Sequence, residues 1–461
     1  MSADQDRQHR LSPARVLDLD PLLDDPATRI VVCCGSGGVG KTTTAAALGL
    51  RAAERGRKVV VLTIDPARRL AQSMGIDSLD NTPRRVKGVE GDGELHAMML
   101  DMKRTFDEIV EAHADPERAS AILGNPFYQS LSAGFAGTQE YMAMEKLGQL
   151  RAKDEWDLIV VDTPPSRSAL DFLDAPKRLG SFLDGKLIRL LTAPAKLGGR
   201  AGMKFLNVGM SMMTGTLGKL LGGQLLKDVQ TFVAAMDSMF GGFRTRADAT
   251  YKLLQAPGTA FLVVAAPERD ALREAAYFVE RLAAEDMPFA GLVLNRVHGS
   301  GAARLSAERA LAAAENLDLV QDPVAENLAK SRIVDQEGGK AGVRNSPDTD
   351  GSSDSPASSL VSDQASSEGS PAVADSAADP TVEQLTAGLL RLHAERMRLL
   401  SREQRTRDRF TALHPEVAVA EVAALPGDVH DLAGLRDIGT RLAAGRPELP
   451  ETTGDPETAD G

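Results

Sequence analysis

Gly35-Ser36-Gly37-Gly38-Val39-Gly40-Lys41-Thr42-Thr43 lies between the apolar run Ile30-Val31-Val32-Cys33-Cys34 and the helix-forming stretch Thr44 to Arg55. Glycines 35, 37, 38 and 40 let the backbone turn tightly and aim amide N–H groups inward, where the positive end of the following helix dipole also attracts an anion. The spacing G-x-x-x-x-G-K-[ST] runs from Gly35 to Thr42, which places Lys41 to hold terminal phosphates and the Thr42 hydroxyl to ligate magnesium. The bare pattern also arises in accidental glycine-rich turns. A strand before it and a helix after it favour a nucleotide cradle made by Gly37, Gly38, Val39, Gly40, Lys41, Thr42 and Thr43.

Outward from the loop, Lys58-Val59-Val60-Val61-Leu62-Thr63-Ile64 is a continuous apolar run of the kind buried on both faces of a parallel sheet. It ends at Asp65. A carboxylate there, at the ligand-binding end of a strand, could orient water toward a γ-phosphate, or it could simply cap a helix over Ala67 to Met74. Trp156-Asp157-Leu158-Ile159-Val160-Val161 is a second apolar strand, closed by Asp162 and followed by Thr163-Pro164-Pro165. A strand-terminal Asp is common, but paired with an upstream phosphate loop it supplies the magnesium carboxylate, acting through a water. Between these, Leu95 to Leu100 is a strand candidate, and amphipathic stretches such as Phe106-Asp107-Glu108-Ile109-Val110 predict a helical layer from Met102 to about Lys153.

Composition narrows the function classes. At 461 residues and 43% hydrophobic content the chain can bury a core of α/β size. Its 65 acidic against 53 basic residues give a net charge of −12, which opposes a general nucleic-acid-coating role, and no nucleic-acid partner is expected. Cys33 and Cys34 are the only thiols; neighbours on a strand point to opposite faces, so they are badly placed to share a metal. Met1 to Arg15 is charged and lacks an apolar core, so a cytoplasmic location is expected. Phe205 to Gly218 is too short to span a bilayer, and no transmembrane segment is expected.

Residues 1–28, with Pro13, Pro21 and Pro26, predict a flexible or peripheral lead-in. Residues 335–382, dominated by serine, aspartate, alanine, glycine and proline, cannot bury enough apolar surface to offset their ordering entropy and read as a disordered insertion. Leu385, Leu389, Leu392 and Leu399 then resume helical spacing, and residues 446–461 form a second polar tail. The fold class that follows is α/β, a doubly wound, mainly parallel P-loop sheet over 29–334 and 383–445, with a helical subdomain inserted at about 102–153 and 170–257.

Gly35 to Thr43, Thr63-Ile64-Asp65-Pro66-Ala67 and Val161-Asp162-Thr163-Pro164-Pro165 resemble the phosphate loop, first switch and second switch of the ArsA-type ATPases. That family includes the arsenite-pump ATPase and the ATPase that delivers tail-anchored membrane proteins. Phe261 to Ala265 followed by Ala266-Pro267-Glu268-Arg269 resembles its strand and Pro-Glu loop. Leu292-Val293-Leu294-Asn295-Arg296 is similar to its adenine-side strand, and Val417 to Leu442 to its closing strand, adenine-side loop and last helix. The resemblance implies ATP and Mg2+ as ligands and two subunits facing each other across two ATP molecules, with closure reshaping a helical subdomain that handles cargo. It also implies that Lys41 binds phosphate, Thr42 ligates magnesium, Asp65 positions or activates water, Asp162 supports magnesium through water, and Asn295 contacts adenine. Asn after a strand is also an ordinary turn former.

The chain departs from the family pattern in three places. Ser36 stands where most members carry a lysine that reaches the partner's nucleotide, a kind of contribution worth on the order of 10³ to 10⁵ in rate when supplied by an arginine finger. The expectation is therefore a homodimer that hydrolyses ATP slowly, or a heterodimer with a lysine-bearing paralogue. Cysteine ligands for arsenite or for a dimer-tying zinc are missing, so soft-metal transport is not expected. The insertion is rich in Met, Leu and Gly, including Phe205, Met210, Met212, Met213, Met236 and Met239, and reads either as ordinary helical core or dimer contact, or as a groove for a hydrophobic polypeptide or membrane-protein partner. The favoured function is a cytoplasmic ATPase, peripheral to a membrane when it delivers a partner. The alternative is a nucleotide-gated regulatory or scaffold subunit with weak hydrolysis.

Overall fold

The computed structural model describes residues 15–64, 69–131, 139–164, 245–321 and 381–444, with 228, 232 and 242 between them. Strands Ile30–Cys34 (β1), Lys58–Thr63 (β2), Arg84–Arg85 (β3), Glu94–Met99 (β4), Leu158–Asp162 (β5), Thr259–Ala265 (β6), Phe289–Val297 (β7) and Val419–Ala423 (β8) make one sheet. Their order is β3-β4-β2-β5-β1-β6-β7-β8, and every pairing is parallel except β3 with β4 at one edge. The longer helices are Asp20–Asp24 (α1), Lys41–Glu54 (α2), Met102–His113 (α3), Gln139–Ala152 (α4), Arg269–Ala284 (α5), Ala307–Gln321 (α6), Val382–Leu413 (α7) and Leu432–Ala444 (α8), with the short α1 included because it anchors the N-terminal segment.

The continuous apolar runs are central parallel strands, as their lack of alternation requires. β1, β5 and β6 are buried at every residue, and β2 at every residue after Lys58. Alternate side chains enter opposite layers. Ile30, Val32 and Cys34 join Val60 and Leu62 beneath the buried faces of α3, α4 and α5; Val31 and Cys33 join Val59 and Val61 beneath α1, α2 and α8. Helices on both faces make the sheet doubly wound, and β1 sits at its centre with β5 on one side and β6 on the other, where the direction of winding reverses.

The lead-in expected over residues 1–28 is integrated into this body from Val16 onward. Val16 bridges Val419 in parallel fashion, and Leu17, Leu19 and Leu23 are buried. Arg51 of α2 binds Asp20 through two hydrogen bonds of 2.5 and 2.7 Å. The Arg57 guanidinium donates to the carbonyls of Leu23, Thr28 and Asp157 at 2.9, 2.6 and 2.5 Å, and its burial holds its pKa below the usual arginine value. Pro21 lies in the first turn of α1, where its missing N–H costs no helical bond, and the helix it starts is only 5 residues long.

Two compact units are present: Met1–Gly301 with Leu400–Gly461, and Ala302–Leu399. The sheet belongs to the first. In the second, Arg391 pairs with Asp318, and His393 Nε2 lies 2.8 Å from the Leu305 carbonyl oxygen. The helical spacing of Leu385, Leu389, Leu392 and Leu399 falls on α7, but these leucines are exposed while Ala387 and Ala394 are buried. The Met-rich segment from Phe205 to Met239, apart from Asp228 and Phe232, residues 335–380 of the Ser-rich insertion and the tail 446–461 lie outside the described residues.

Candidate functional site

The glycine loop leaves the C-terminal end of β1 and enters α2, whose N-cap is Gly40 at φ 92°. That left-handed conformation is open to glycine and strained for other residues. Gly35 answers a different need: a Cβ there would stand 2.1 Å from the Val264 carbonyl oxygen of the neighbouring strand β6. Lys41 begins α2 and is 5% exposed; its Nζ donates to the Ser36 carbonyl oxygen at 2.7 Å, which draws the ammonium back across the loop. The first-turn amides of a helix have no partner within the helix, and here a lysine begins that turn, a combination suited to binding phosphate.

Parallel register brings the second component alongside. Asp162 ends β5 opposite Cys33 of β1 and Thr63 of β2, and it is fully buried. Its Oδ2 accepts hydrogen bonds from Thr42 Oγ1 at 2.8 Å and from Thr63 Oγ1 at 2.9 Å. A carboxylate and threonine hydroxyls form a hard-oxygen donor set, which fits magnesium and does not suit a soft metal. Thr63 was not singled out from sequence. It sits two residues before Asp65 at the end of an apolar run, and only the β2–β5 register places it level with Asp162. Thr163 extends the same end of the sheet, its Oγ1 donating to the Cys33 carbonyl at 2.9 Å.

Asp65 lies outside the described residues, but the chain leading to it is held on both sides. The Ile64 amide donates to the Asp162 carbonyl at 3.0 Å, and the Ile64 carbonyl accepts from Gln139 Nε2 at 2.9 Å. Gln139 opens α4, so a single side chain joins the helical layer to the residue preceding Asp65. Gln139→Ala is expected to lower triphosphate turnover about fivefold with substrate affinity unchanged, in line with one neutral hydrogen bond. Steady-state kcat and KM measure it; an unchanged kcat would show that this bond does not position the loop.

Asn295 lies near the end of β7 and is 9% exposed. Its Nδ2 donates to the Val39 carbonyl at 2.9 Å, and its Oδ1 accepts the Arg296 amide at 2.9 Å. The structure therefore brings Asn295 against the phosphate loop itself, together with Lys41, Thr42 and Asp162.

Polar contacts join α3 to α4 and tie each of them to neighbouring segments. Lys146 Nζ binds Glu108 at 2.9 Å, Asn81 Oδ1 accepts the Thr105 hydroxyl at 3.0 Å, and buried Glu145 binds Arg246 at 2.6 Å. Glu145 also accepts from Tyr141, whose phenol is pushed well above its usual pKa by burial first and by that carboxylate next. Cys33 and Cys34 fall in opposite layers of the core. Burial pushes the Cys34 thiol up to about 12 and Cys33 well above the ordinary thiol value, so neither supplies a thiolate at neutral pH. Among the described residues, no cluster of His, Cys, Asp and Glu large enough to hold a metal ion occurs.

Residues 28–312 match the ArsA ATPase family model, described as an anion-transporting ATPase. The chain is also similar to proteins named ATPase GET3. With that of Malassezia globosa it shares 31% identity over 165 residues, 36% of this chain and 47% of the relative, so about half of that protein's length is spanned. With that of Podospora anserina it shares 26% identity over 281 residues, 60% of this chain and 76% of the relative. With that of Ajellomyces dermatitidis the figure is 26% over 283 residues, again 60% and 76%.

Proposed function

We propose, because the chain belongs to the ArsA family of anion-transporting ATPases, that it binds ATP with magnesium, hydrolyses it, and couples dimer closure to handling a hydrophobic or membrane-associated partner. The observation that carries this is the convergence of the Thr42 and Thr63 hydroxyls on buried Asp162, beside Lys41 at the start of α2. Lys41 leaves the Ser36 carbonyl to hold the terminal phosphates, while the loop amides from Gly37 to Thr43 receive the phosphate oxygens. Thr42 ligates magnesium directly and Asp162 does so through a water. When bound, magnesium neutralises charge on the β- and γ-phosphates. Asp65 orients the attacking water, and the residue before it, Ile64, is bonded to Asp162 and Gln139. Asn295 meets the adenine.

A second reading is favoured by Ser36. No side-chain cation stands at that position, so a subunit lacking trans assistance is slow and acts as a nucleotide-gated partner to a lysine-bearing paralogue. Among the described residues, no helix is long and apolar enough to cross a membrane. A peripheral, cytoplasmic mode of action suits the proposal, and the Met-rich segment is its candidate surface for the hydrophobic partner.

Gel filtration of the pure chain with ATP and magnesium, with and without such a paralogue, tests the coupling. ATP-dependent dimerisation supports it. A chain that stays monomeric in every combination, with nucleotide bound, removes dimer closure from the mechanism.

A further inference from the structure

We infer that Asn295 is a positioning residue for the phosphate loop, holding Val39 and Gly40 in their anion-binding shape whether or not a base is present. The inference rests on the nucleotide-binding reading above and adds a role separate from contact with adenine.

Three features point the same way. First, the Asn295 carboxamide crosses from β7 to donate to the Val39 carbonyl at 2.9 Å, a bond that joins residues 256 positions apart. Val39 is itself 3% exposed, so its carbonyl is offered few alternatives. Second, the amide nitrogen stands 2.3 Å from where a Cβ on Gly40 would be. Gly40 therefore does more than supply a left-handed turn; its bare Cα makes room for the asparagine. Third, the β7–β8 register shifts between Leu294 and Val297, and Arg296 takes φ 60°, an uncommon conformation for a residue other than glycine. A bulge of this kind re-aims a side chain, and here the Arg296 amide, displaced from the ladder, is bound by Asn295 Oδ1 at 2.9 Å.

An asparagine that only capped the bulge would need the Arg296 bond alone. The Val39 bond contributes nothing to the bulge and fixes the loop. A carboxamide has two N–H donors and two acceptor lone pairs. With one of each engaged, one donor and one acceptor remain for the edge of a purine. Base contact and loop geometry then pass through the same group, and losing it weakens phosphate binding even for ligands that have no base.

Two measurements test this. Hydrogen exchange of the nucleotide-free protein is compared for wild type and Asn295→Asp, which keeps the side-chain shape and the acceptor for Arg296 while removing the donor to Val39. Amides of residues 37–41 are expected to exchange about five- to tenfold faster, the worth of one buried hydrogen bond, with β1 and β6 unchanged. Inorganic tripolyphosphate is then titrated into wild type and Asn295→Ala, a substitution that adds no charge beside the phosphates. Its affinity is expected to fall by a similar factor. Unchanged loop exchange overturns the inference, as does an Asn295→Ala variant that loses ATP affinity but keeps that for tripolyphosphate. If wild type binds neither ATP nor tripolyphosphate, the nucleotide reading fails, and the exchange result alone decides whether Asn295 holds the loop.

Discussion

Lys41→Ala is expected to yield a folded protein that no longer turns over ATP. Lys41 is 5% exposed, and its ammonium donates to the Ser36 carbonyl in the resting loop, a backbone group that its removal leaves beside the loop's own amides. The cost falls on the liganded state. A charged hydrogen bond to phosphate is worth about 1.5–3 kcal/mol, or roughly ten- to a hundredfold in affinity. Loss of a fixed donor at developing charge takes about 10² to 10³ from kcat as well. Calorimetric titration with ATP and phosphate-release kinetics read the two effects separately. Binding and turnover within twofold of wild type would place the phosphates somewhere other than the Gly35 to Thr43 loop.

Asp162→Asn carries the second large effect. The carboxylate is fully buried and accepts two hydroxyl donors on one oxygen, at 2.8 and 2.9 Å. An amide oxygen can accept both, while an NH2 takes the place of Oδ1, and the largest change at the site is the lost negative charge. With that charge gone, the site keeps its shape but loses its counter-charge for magnesium. Turnover is expected to fall about a hundredfold or more, by analogy with removal of one element of transition-state electrostatics. ATP affinity should become the same in magnesium and in EDTA. A variant whose ATP binding still tightens with magnesium as wild type does would separate Asp162 from the metal. Thr63→Val, which removes one of the two donors and no charge, should have a much smaller effect on the same assays.

The loop and the carboxylate at the end of β5 were legible because each is encoded locally: glycines at fixed offsets before a Lys-Thr pair, and an apolar run ending in Asp. The parallel sheet was legible for a similar reason, since strands buried on both faces lose their polar alternation. Thr63 was not, because its meaning depends on β2 pairing with β5 in one register. Gln139 was hidden by the same distance in sequence, its amide reaching Ile64 across 75 positions. Asn295 was identified by resemblance as a base contact, but its bond to Val39 is visible only in three dimensions. The N-terminal segment was expected as a flexible or peripheral lead-in, and the burial of Leu17, Leu19 and Leu23 could not be foreseen because it depends on distant partners such as Val419 and Arg57.

On the proposed reading, Ser36 makes rate the sensitive quantity, since a subunit without a trans cation would retain its site and still be slow. The most direct test is therefore phosphate release by the pure chain with excess ATP, in magnesium and in EDTA, against Lys41→Ala as the blank. Magnesium-dependent release above that blank, however slow, is the expected result. Release equal to the blank in both conditions, with or without magnesium, would contradict the assignment of Lys41, Thr42 and Asp162 to an ATP-hydrolysing site.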